Sequence, residues 1–414
     1  MVALPHTIRR LGELGDRWSG SPAGRWVARL APPLLILLWI VAIAHTGRWP
    51  SGDGPHVLGV SERLAQLARS LSVGELFASA WTLVSPHPPG AYVLSTAAYT
   101  LLGPAVRWAH LLASGVALWL CWDGVRRLGG GWIGGLFLAA SALLWAQAES
   151  YGIDVLTAAC VVQATSHLAA SDGLARRRHA AGWGAWMGAG FLAKYSAPMF
   201  LVAPCLLAAW WVLRGRRFAQ LGIAIAAFAA VAGIWYLGHW GDVLDYTTSA
   251  KQISDDPLFQ NTPVASGSWL SAERLGWYPL ALLDAHGWAG VLALAVGVVY
   301  WRRREGTPRG GWALAVLAIA GGWIILSGPL PRQDRYLLPA LPLLAALAGS
   351  SRLRWVLAPV AAIGLFCTGT VFLDSGEVPV SRRFEHSWSH PGTSWPWPHE
   401  AYRPATLDPA DWGV

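Results

Sequence analysis

The segment that decides the fold runs from Gln220 to Tyr236 and reads QLGIAIAAFAAVAGIWY. It contains no charged residue, and its length approaches the ~20 residues that an apolar helix needs to cross a bilayer. A second run, from Leu353 to Leu373, reads LRWVLAPVAAIGLFCTGTVFL and is also apolar, apart from Arg354 near its start. Because similar runs recur along almost the whole chain, the sequence predicts an integral membrane protein with many spans.

The composition supports the same conclusion. Hydrophobic residues fill 54% of the 414 positions, charged residues fill only 13%, and the mean hydropathy is +0.39. Soluble domains carry about 25% charged residues, so these values exclude an ordinary soluble protein. The 27 tryptophans fit a chain with many membrane–water interfaces, where indole rings are enriched.

The net charge of +8 comes from arginine clusters that lie between the apolar runs. These clusters are Arg126–Arg127, Arg176–Arg178, Arg214–Arg217 and Arg302–Arg304. Arginines in short loops mark the cytoplasmic side of a membrane protein, so the clusters predict topology and disfavour nucleic-acid binding. The four cysteines lie inside apolar runs without paired spacing, which disfavours a disulfide framework or a zinc site.

With a cytoplasmic N-terminus, the clusters predict an all-α bundle of about eleven transmembrane helices. The predicted helices cover 32–46, 107–125, 131–147, 154–172, a hairpin of two helices over 180–213, 220–238, 279–300, 311–327, 336–350 and 354–373. The transmembrane catalytic domain is therefore expected at 1–373. A tail at 374–414, rich in Trp and Pro, is expected outside, either as a cover over the site or as the remnant of a longer domain.

Two large loops are expected on the outer side, at 47–106 and 241–278. In the first, apolar residues from Val57 to Leu71 recur at helical spacing opposite a polar face, which predicts an amphipathic helix on the membrane surface. Ser72 and Glu75 predict the start of a second short helix through Trp81.

The apolar segment from Pro88 to Leu102 is shorter than a span requires. Counting it as a span would also put two arginine clusters on opposite sides of the membrane. We therefore expect it to be a third juxtamembrane helix, with the prolines in its first turn.

This topology brings scattered polar residues to the outer membrane surface. They are Asp53, His87, Glu149–Asp154, Lys194 and Arg332–Tyr336. Acidic and cationic groups together at the level of the lipid headgroups predict chemistry on a phospholipid-like substrate. Taken singly, the residues have structural alternatives, because aspartates cap helices and interface lysines extend towards the headgroups.

Several motifs carry a family resemblance. They are Gly52-Asp53, His87-Pro88-Pro89-Gly90-Ala91-Tyr92, Ser150-Tyr151-Gly152-Ile153-Asp154, Phe191-Leu192-Ala193-Lys194 and Asp334-Arg335-Tyr336-Leu337-Leu338-Pro339. In this order they resemble the GT-C glycosyltransferases, and most of all the protein O-mannosyltransferase and lipid A aminoarabinose transferase group. The likeness covers roughly residues 30–350. It implies a GT-C bundle that takes sugar from a polyprenyl-phosphate carrier outside the cytoplasm.

The resemblance also implies roles for individual residues. Asp53 matches the catalytic base, and Asp154 matches a second acidic group that orients the acceptor or binds a metal. Lys194, Arg335 and Tyr336 match positions at the donor phosphate.

Further candidates at the same site are His87, Tyr151 and Arg332. The chain departs from the family pattern at Asp53, which is followed by Gly54 where relatives often have a second acid. A divalent metal at Asp53 and Asp154 stays open, and no other cofactor is expected.

The expected function is the transfer of a hexose or pentose from a polyprenyl-phosphate donor to a protein, lipid or glycan acceptor. We expect an inverting displacement at the outer face of the cytoplasmic membrane, with a carboxylate as the base. Two alternatives remain, namely a flippase or transporter of lipid-linked glycans and a polymerase or ligase of whole glycans. Transporters place charges near the bilayer midplane and often show internal repeats, whereas here the charges gather at one surface.

The arginine clusters generate a first prediction, which concerns topology. Single cysteines at Ser51, Ser85, Ser254 and Ser387 should react with a membrane-impermeant maleimide added to intact cells. Cysteines at Ser171 and Gly306 should react only after permeabilisation. Labelling of Gly306 from outside, with protection of Ser254, would reverse the assignment.

Overall fold

The computed structural model describes residues 21–46, 54–83, 88–103, 108–149, 153–245, 272–300, 310–327, 334–351 and 353–373, together with Val106 and Thr248. Within these ranges the chain is helical and contains no β-strand. The tail at 374–414 and most of the loop at 241–278 lie outside the described residues.

Eight helices are described in the first half of the chain. They are α1 (Pro22–Thr46), α2 (Gly54–Arg69), α3 (Val73–Leu83), α4 (Gly90–Leu102), α5 (Ala109–Arg127), α6 (Gly131–Ala139), α7 (Ala142–Glu149) and α8 (Ile153–Ala170). The second half continues with α9 (Arg177–Ala193), α10 (Ala197–Gly215), α11 (Phe218–Phe228), a π-helical turn (Ala229–Gly233) and α12 (Ile234–Gly238). It ends with α13 (Ala272–Val299), α14 (Gly311–Leu326), a 3₁₀ helix (Asp334–Leu337), α15 (Ala340–Gly349) and α16 (Arg354–Leu373).

Among the described residues, four helical stretches are long and apolar enough to cross a membrane. They are Pro22–Val41, Ile153–Ala170, Ala197–Gly215 and Phe218–Gly238, and several further apolar helices are shorter. Large apolar side chains cover the outside of the bundle, with Leu206 68% exposed and Leu237 86% exposed. A surface of this kind suits lipid rather than water. The predicted all-α polytopic fold is confirmed, whereas eleven as the number of spans stays a prediction.

Helix α8 lies at the centre of the bundle. It packs against α5, α9, α10, α14 and α15, and 78% of this span is buried. Its sequence is rich in Ala, Val, Thr and Cys, whose small side chains allow neighbouring helices to approach closely. The first turn of this helix carries Asp154, which is fully buried.

The three helices predicted for the first outer loop are present as α2, α3 and α4. A second hydrophobic core joins α2 to α4 through Val57, Leu64, Tyr92 and Tyr99. Hydroxyls of Ser61 and Ser95 lie 2.5 Å apart inside this core. We call α2, α3 and α4 the platform.

The platform touches the main bundle through Gly90, the first residue of α4. A Cβ atom at this position would lie 2.7 Å from the carbonyl oxygen of Leu192, near the end of α9. Only glycine permits this approach of two backbones. The start of α4 is therefore held against Leu192, which lies two residues before Lys194 in the chain.

Three predicted boundaries were wrong. The helix at 131–147 is two helices, because the Ser141 hydroxyl accepts from the Leu144 amide (3.4 Å) and Trp145 Nε1 donates to the Ala139 carbonyl (2.5 Å) at the break. The helix at 279–300 begins earlier, at Ala272, so the loop at 241–278 is shorter than predicted. The first helix begins at Pro22 rather than at 32.

Glycines on α9 allow close helix packing. A Cβ atom at Gly184 would clash with the Ala224 carbonyl of α11, and one at Gly188 would lie 3.0 Å from the Phe228 carbonyl. Helices α9 and α11 therefore pack with their backbones almost in contact.

This contact predicts a marked difference between two Gly→Ala substitutions. Gly184→Ala should lower stability by about 1–3 kcal/mol, because a carbonyl cannot move aside as a flexible side chain can. Gly222→Ala on α11 is the matched control, since nothing lies within 4 Å of the added methyl. Thermal unfolding of both purified variants in detergent measures the difference. Equal melting temperatures for the two variants would show that the close contact does not form.

Candidate active site

Three predicted site residues meet at one end of the bundle. Lys194 Nζ lies 2.7 Å from Oδ1 and 2.8 Å from Oδ2 of Asp154, so both carboxylate oxygens accept from the ammonium group. The same nitrogen lies 4.8 Å from the centre of the Tyr336 ring. The cluster therefore combines a charged hydrogen-bonded pair with a cation–π contact.

Local backbone structure places Lys194 at this point. Helix α9 ends at Ala193, and Lys194 itself is extended, with φ −164° and ψ 148°. Its amide donates to the Gly190 carbonyl (3.0 Å), and its carbonyl accepts from the Ala197 amide (3.1 Å) at the start of α10. This confirms the predicted turn between the fifth and sixth predicted helices.

Burial makes the ion pair costly to break. The Asp154 side chain is 1% exposed, and the Lys194 side chain is 14% exposed. A charge in such a place needs its partner, because removing one member of a buried pair costs about 3–5 kcal/mol. The Lys194 side chain keeps a small exposed fraction, whereas the Asp154 side chain keeps almost none.

The pair bears on the metal site that the sequence leaves open. A cation at Asp154 would have to share both carboxylate oxygens with the Lys194 ammonium or displace it. Within the described part of the chain, no group of three or more His, Cys, Asp or Glu side chains could hold a metal ion. The other predicted ligand, Asp53, lies outside the described residues, so a metal at this pair of aspartates stays a prediction.

The structure describes the remaining candidates only in part. Four of them, Asp53, His87, Tyr151 and Arg332, lie outside the described residues. The backbone of Arg335 belongs to the 3₁₀ helix, one residue before Tyr336.

The described parts of the motifs nevertheless converge. Gly90, three residues after His87, touches the end of α9. Ile153, next to Asp154, packs against the platform core. His56, three residues after Asp53, lies edge-on to Tyr92 with ring centres 6.2 Å apart. These contacts bring the platform to the same end of the bundle as Lys194.

The platform core remains uncharged beside this site. Burial raises the pKa of Tyr99 to about 12, and the nearby Glu62 carboxylate contributes to the same shift. The phenol is therefore neutral at physiological pH and acts as a packing group.

An apolar cavity lies next to the cluster and has a volume of about 210 Å³. Its lining includes Phe200 in the first turn of α10, Tyr278, Trp323, Leu326 and Leu337. Leu337 directly follows Tyr336, so the 3₁₀ helix contributes one residue to the cluster and the next residue to the cavity.

Sequence reasoning missed Tyr236. Its hydroxyl donates to the carbonyl of Phe191 (2.9 Å), three residues before Lys194. The residue lies at the end of the run 220–236, which was interpreted only as a membrane span. A polar hydroxyl at the end of an otherwise apolar run was the available signal.

Two crystal structures share this fold. Both are of ArnT from Cupriavidus metallidurans, a lipid A aminoarabinose transferase and GT-C enzyme. The structure bound to undecaprenyl phosphate matches with a TM-score of 0.52 at 18% identity. The apo structure matches with a TM-score of 0.53 at 19% identity. No protein-family model and no curated protein sequence matches the chain.

Each match covers 80% of this chain and 60% of the ArnT chain. The chain therefore spans about three fifths of the length of the proteins it resembles. At these identities the likeness establishes the fold, which is a multi-pass, all-α bundle of the GT-C type. The particular protein that it resembles is ArnT, which confirms the resemblance stated from the sequence motifs.

The buried pair generates a prediction about stability. Lys194→Met and Asp154→Leu should each lower the free energy of unfolding by about 3–5 kcal/mol, because each removes the oppositely charged partner of a buried charge. The double variant should lose clearly less than the sum, since neither charge remains. Arg126→Met is the control, because Arg126 pairs with Asp123 at an exposed position and should cost less than about 1 kcal/mol. Additive losses in denaturant unfolding would show that the pair is not coupled.

Proposed function

We propose that this protein is a membrane glycosyltransferase that moves a sugar from a polyprenyl-phosphate donor to an acceptor on the extracytoplasmic side. The observation that carries the proposal is the Lys194–Asp154–Tyr336 cluster beside an apolar cavity, within a GT-C type fold. ArnT, which shares the fold, has been crystallised with undecaprenyl phosphate bound.

The cluster suits the head of such a donor. A phosphate diester is an anion, and an ammonium group at the membrane surface attracts it as a point charge. Arg335, next to Tyr336 in the chain, is proposed to add a second cation, since one guanidinium group can donate two parallel hydrogen bonds to two phosphate oxygens.

The cavity suits the chain of the donor. Its lining is almost wholly apolar, so its natural occupant is a hydrocarbon. An engineered apolar cavity of about 150 Å³ binds benzene, so 210 Å³ is enough for roughly one or two isoprene units. Since Leu337 lines the cavity and Tyr336 contacts Lys194, head and chain can be bound side by side.

The proposed reaction is a single inverting displacement. Asp53 takes the proton from the acceptor nucleophile, which forms a bond to the anomeric carbon on the face opposite the leaving group. The bond between that carbon and the phosphate oxygen breaks, and its electrons leave with polyprenyl phosphate. Because phosphate is already a good leaving group, no second carboxylic acid is needed to protonate it.

Lys194 is proposed to stabilise the charge that develops on the departing phosphate. Asp154 fixes the ammonium group before the reaction, so little reorganisation is needed when the charge appears. In this proposal Asp154 positions Lys194 and does not bind the acceptor. The acceptor is proposed to bind on the side of the site that faces the platform. The sugar is proposed to be a hexose or pentose, and the acceptor a protein, lipid or glycan.

The experiment uses purified protein in liposomes with a synthetic polyprenyl-phosphate sugar and a panel of acceptors. Wild-type protein should form a glycosidic product and release polyprenyl phosphate, both measured by mass spectrometry. Asp53→Asn keeps the size of the side chain but removes the base, so transfer should fall by at least ~10²-fold while the protein stays folded.

Three outcomes contradict parts of this proposal. Movement of the lipid-linked sugar across the bilayer without any product would indicate a flippase. Transfer of whole oligosaccharides would indicate a polymerase or ligase. Normal transfer by Asp53→Asn would remove Asp53 from the role of base.

A further inference from the structure

Lys194 directly follows the last turn of α9, and two hydrogen bonds hold this turn. The final carbonyl groups of a helix have no partner within the helix and need one elsewhere. At this end, the Gly190 carbonyl accepts from the Lys194 amide (3.0 Å) and the Phe191 carbonyl accepts from the Tyr236 hydroxyl (2.9 Å). The second contact comes from α12, on the far side of α9 from Asp154.

The π-helical turn before α12 brings Tyr236 into reach. Both Phe228 and Tyr236 contact the Phe191 ring, with ring centres 5.1 Å and 6.1 Å away. Residues eight positions apart differ by about 80° around a regular helix of 3.6 residues per turn, whereas seven positions return almost to the same face. The turn at Ala229–Gly233 takes up one extra residue, so both rings face α9.

The rod formed by α11, the π-helical turn and α12 is also fixed at both of its ends. Upstream, Gly184 and Gly188 of α9 lie against its backbone. Downstream, the His239 ring lies between the indoles of Trp81 and Trp235, with Nε2 2.9 Å from the Trp81 carbonyl. Because the rod is fixed to α9 and to platform helix α3, its position does not depend on the Tyr236 hydroxyl alone.

We propose that Tyr236 is a positioning residue for the donor phosphate, acting through Lys194. Its hydroxyl fixes the Phe191 carbonyl and so sets the height of the last turn of α9. That height decides whether the Lys194 ammonium meets both Asp154 oxygens and the Tyr336 ring. This inference rests on the proposed function, in which Lys194 binds the phosphate of a polyprenyl carrier.

Loss of the hydroxyl should act on binding as well as on rate. In Tyr236→Phe the ring still packs on Phe191, but a carbonyl inside the bundle loses its partner, which is unfavourable where water is scarce. The last turn then shifts to find another donor, and a small displacement of a charged group has a large effect on catalysis. One net hydrogen bond corresponds to a change in affinity of about 2- to 10-fold.

The test measures binding of undecaprenyl phosphate and sugar transfer in four proteins. They are the wild type, Tyr236→Phe, Lys194→Met and the double variant. Tyr236→Phe should bind undecaprenyl phosphate about 2- to 10-fold more weakly and transfer more slowly. In the Lys194→Met background the same substitution should have no further effect, because the group through which it acts is gone. Tyr300→Phe is the matched control, because Tyr300 directly follows the last residue of α13, Val299, and is not part of the site. This variant should behave as wild type.

The outcomes separate this inference from the proposed function. If Tyr236→Phe binds and transfers as wild type, or weakens binding equally with and without Lys194, then Tyr236 does not act through Lys194. If wild-type protein binds undecaprenyl phosphate but transfers no sugar, the proposed function fails and the binding data alone decide the role of Tyr236. If wild-type protein binds no undecaprenyl phosphate, both proposals are overturned.

Discussion

A buried carboxylate needs a cation, and this requirement organises the end of the bundle where the site lies. Asp154 is fully buried because α8 is the central helix and packs against helices from both halves of the chain. A lone charge there would be very unfavourable, so a cation must reach it. Lys194 does so from the turn between α9 and α10, and the turn must therefore lie beside the first turn of α8. The Tyr336 ring also contacts the ammonium group, which brings the 3₁₀ helix before α15 to the same place.

Much of this arrangement could be predicted from the sequence. Apolar runs and arginine clusters identified the helices, and the motifs around Asp154, Lys194 and Tyr336 were expected at one surface. The pairing of Lys194 with Asp154 was not, because the two residues lie 40 positions apart and a charge pattern gives a side of the membrane rather than a partner. The role of Gly90 was also not predicted, because a close contact between two backbones requires only a glycine, and a single glycine does not indicate its partner.

The contact of Tyr236 could not be predicted for a more specific reason. Ala229–Gly233 consists of small residues that suit an α-helical or a π-helical turn equally well, so hydropathy gives no indication of the extra residue. That residue decides which side chains face α9. At Ser141, in contrast, the sequence did contain a signal. A serine within an apolar run can mark a break between two helices, here α6 and α7, but one continuous helix was predicted. A hydropathy profile shows neither where a helix breaks nor which side chains face a neighbouring helix.

The contact at Gly90 has a consequence for how the outer loop could be exchanged. Backbone meets backbone there, without side chains between them that could deform, so the platform stands on the end of α9 at a fixed distance. A loop of different length or sequence could replace α2 and α3, provided that the helix after it still began with a glycine against the Leu192 carbonyl. With that spacing kept, the outer loop could change in length or sequence while the ion pair of Lys194 and Asp154 stays undisturbed.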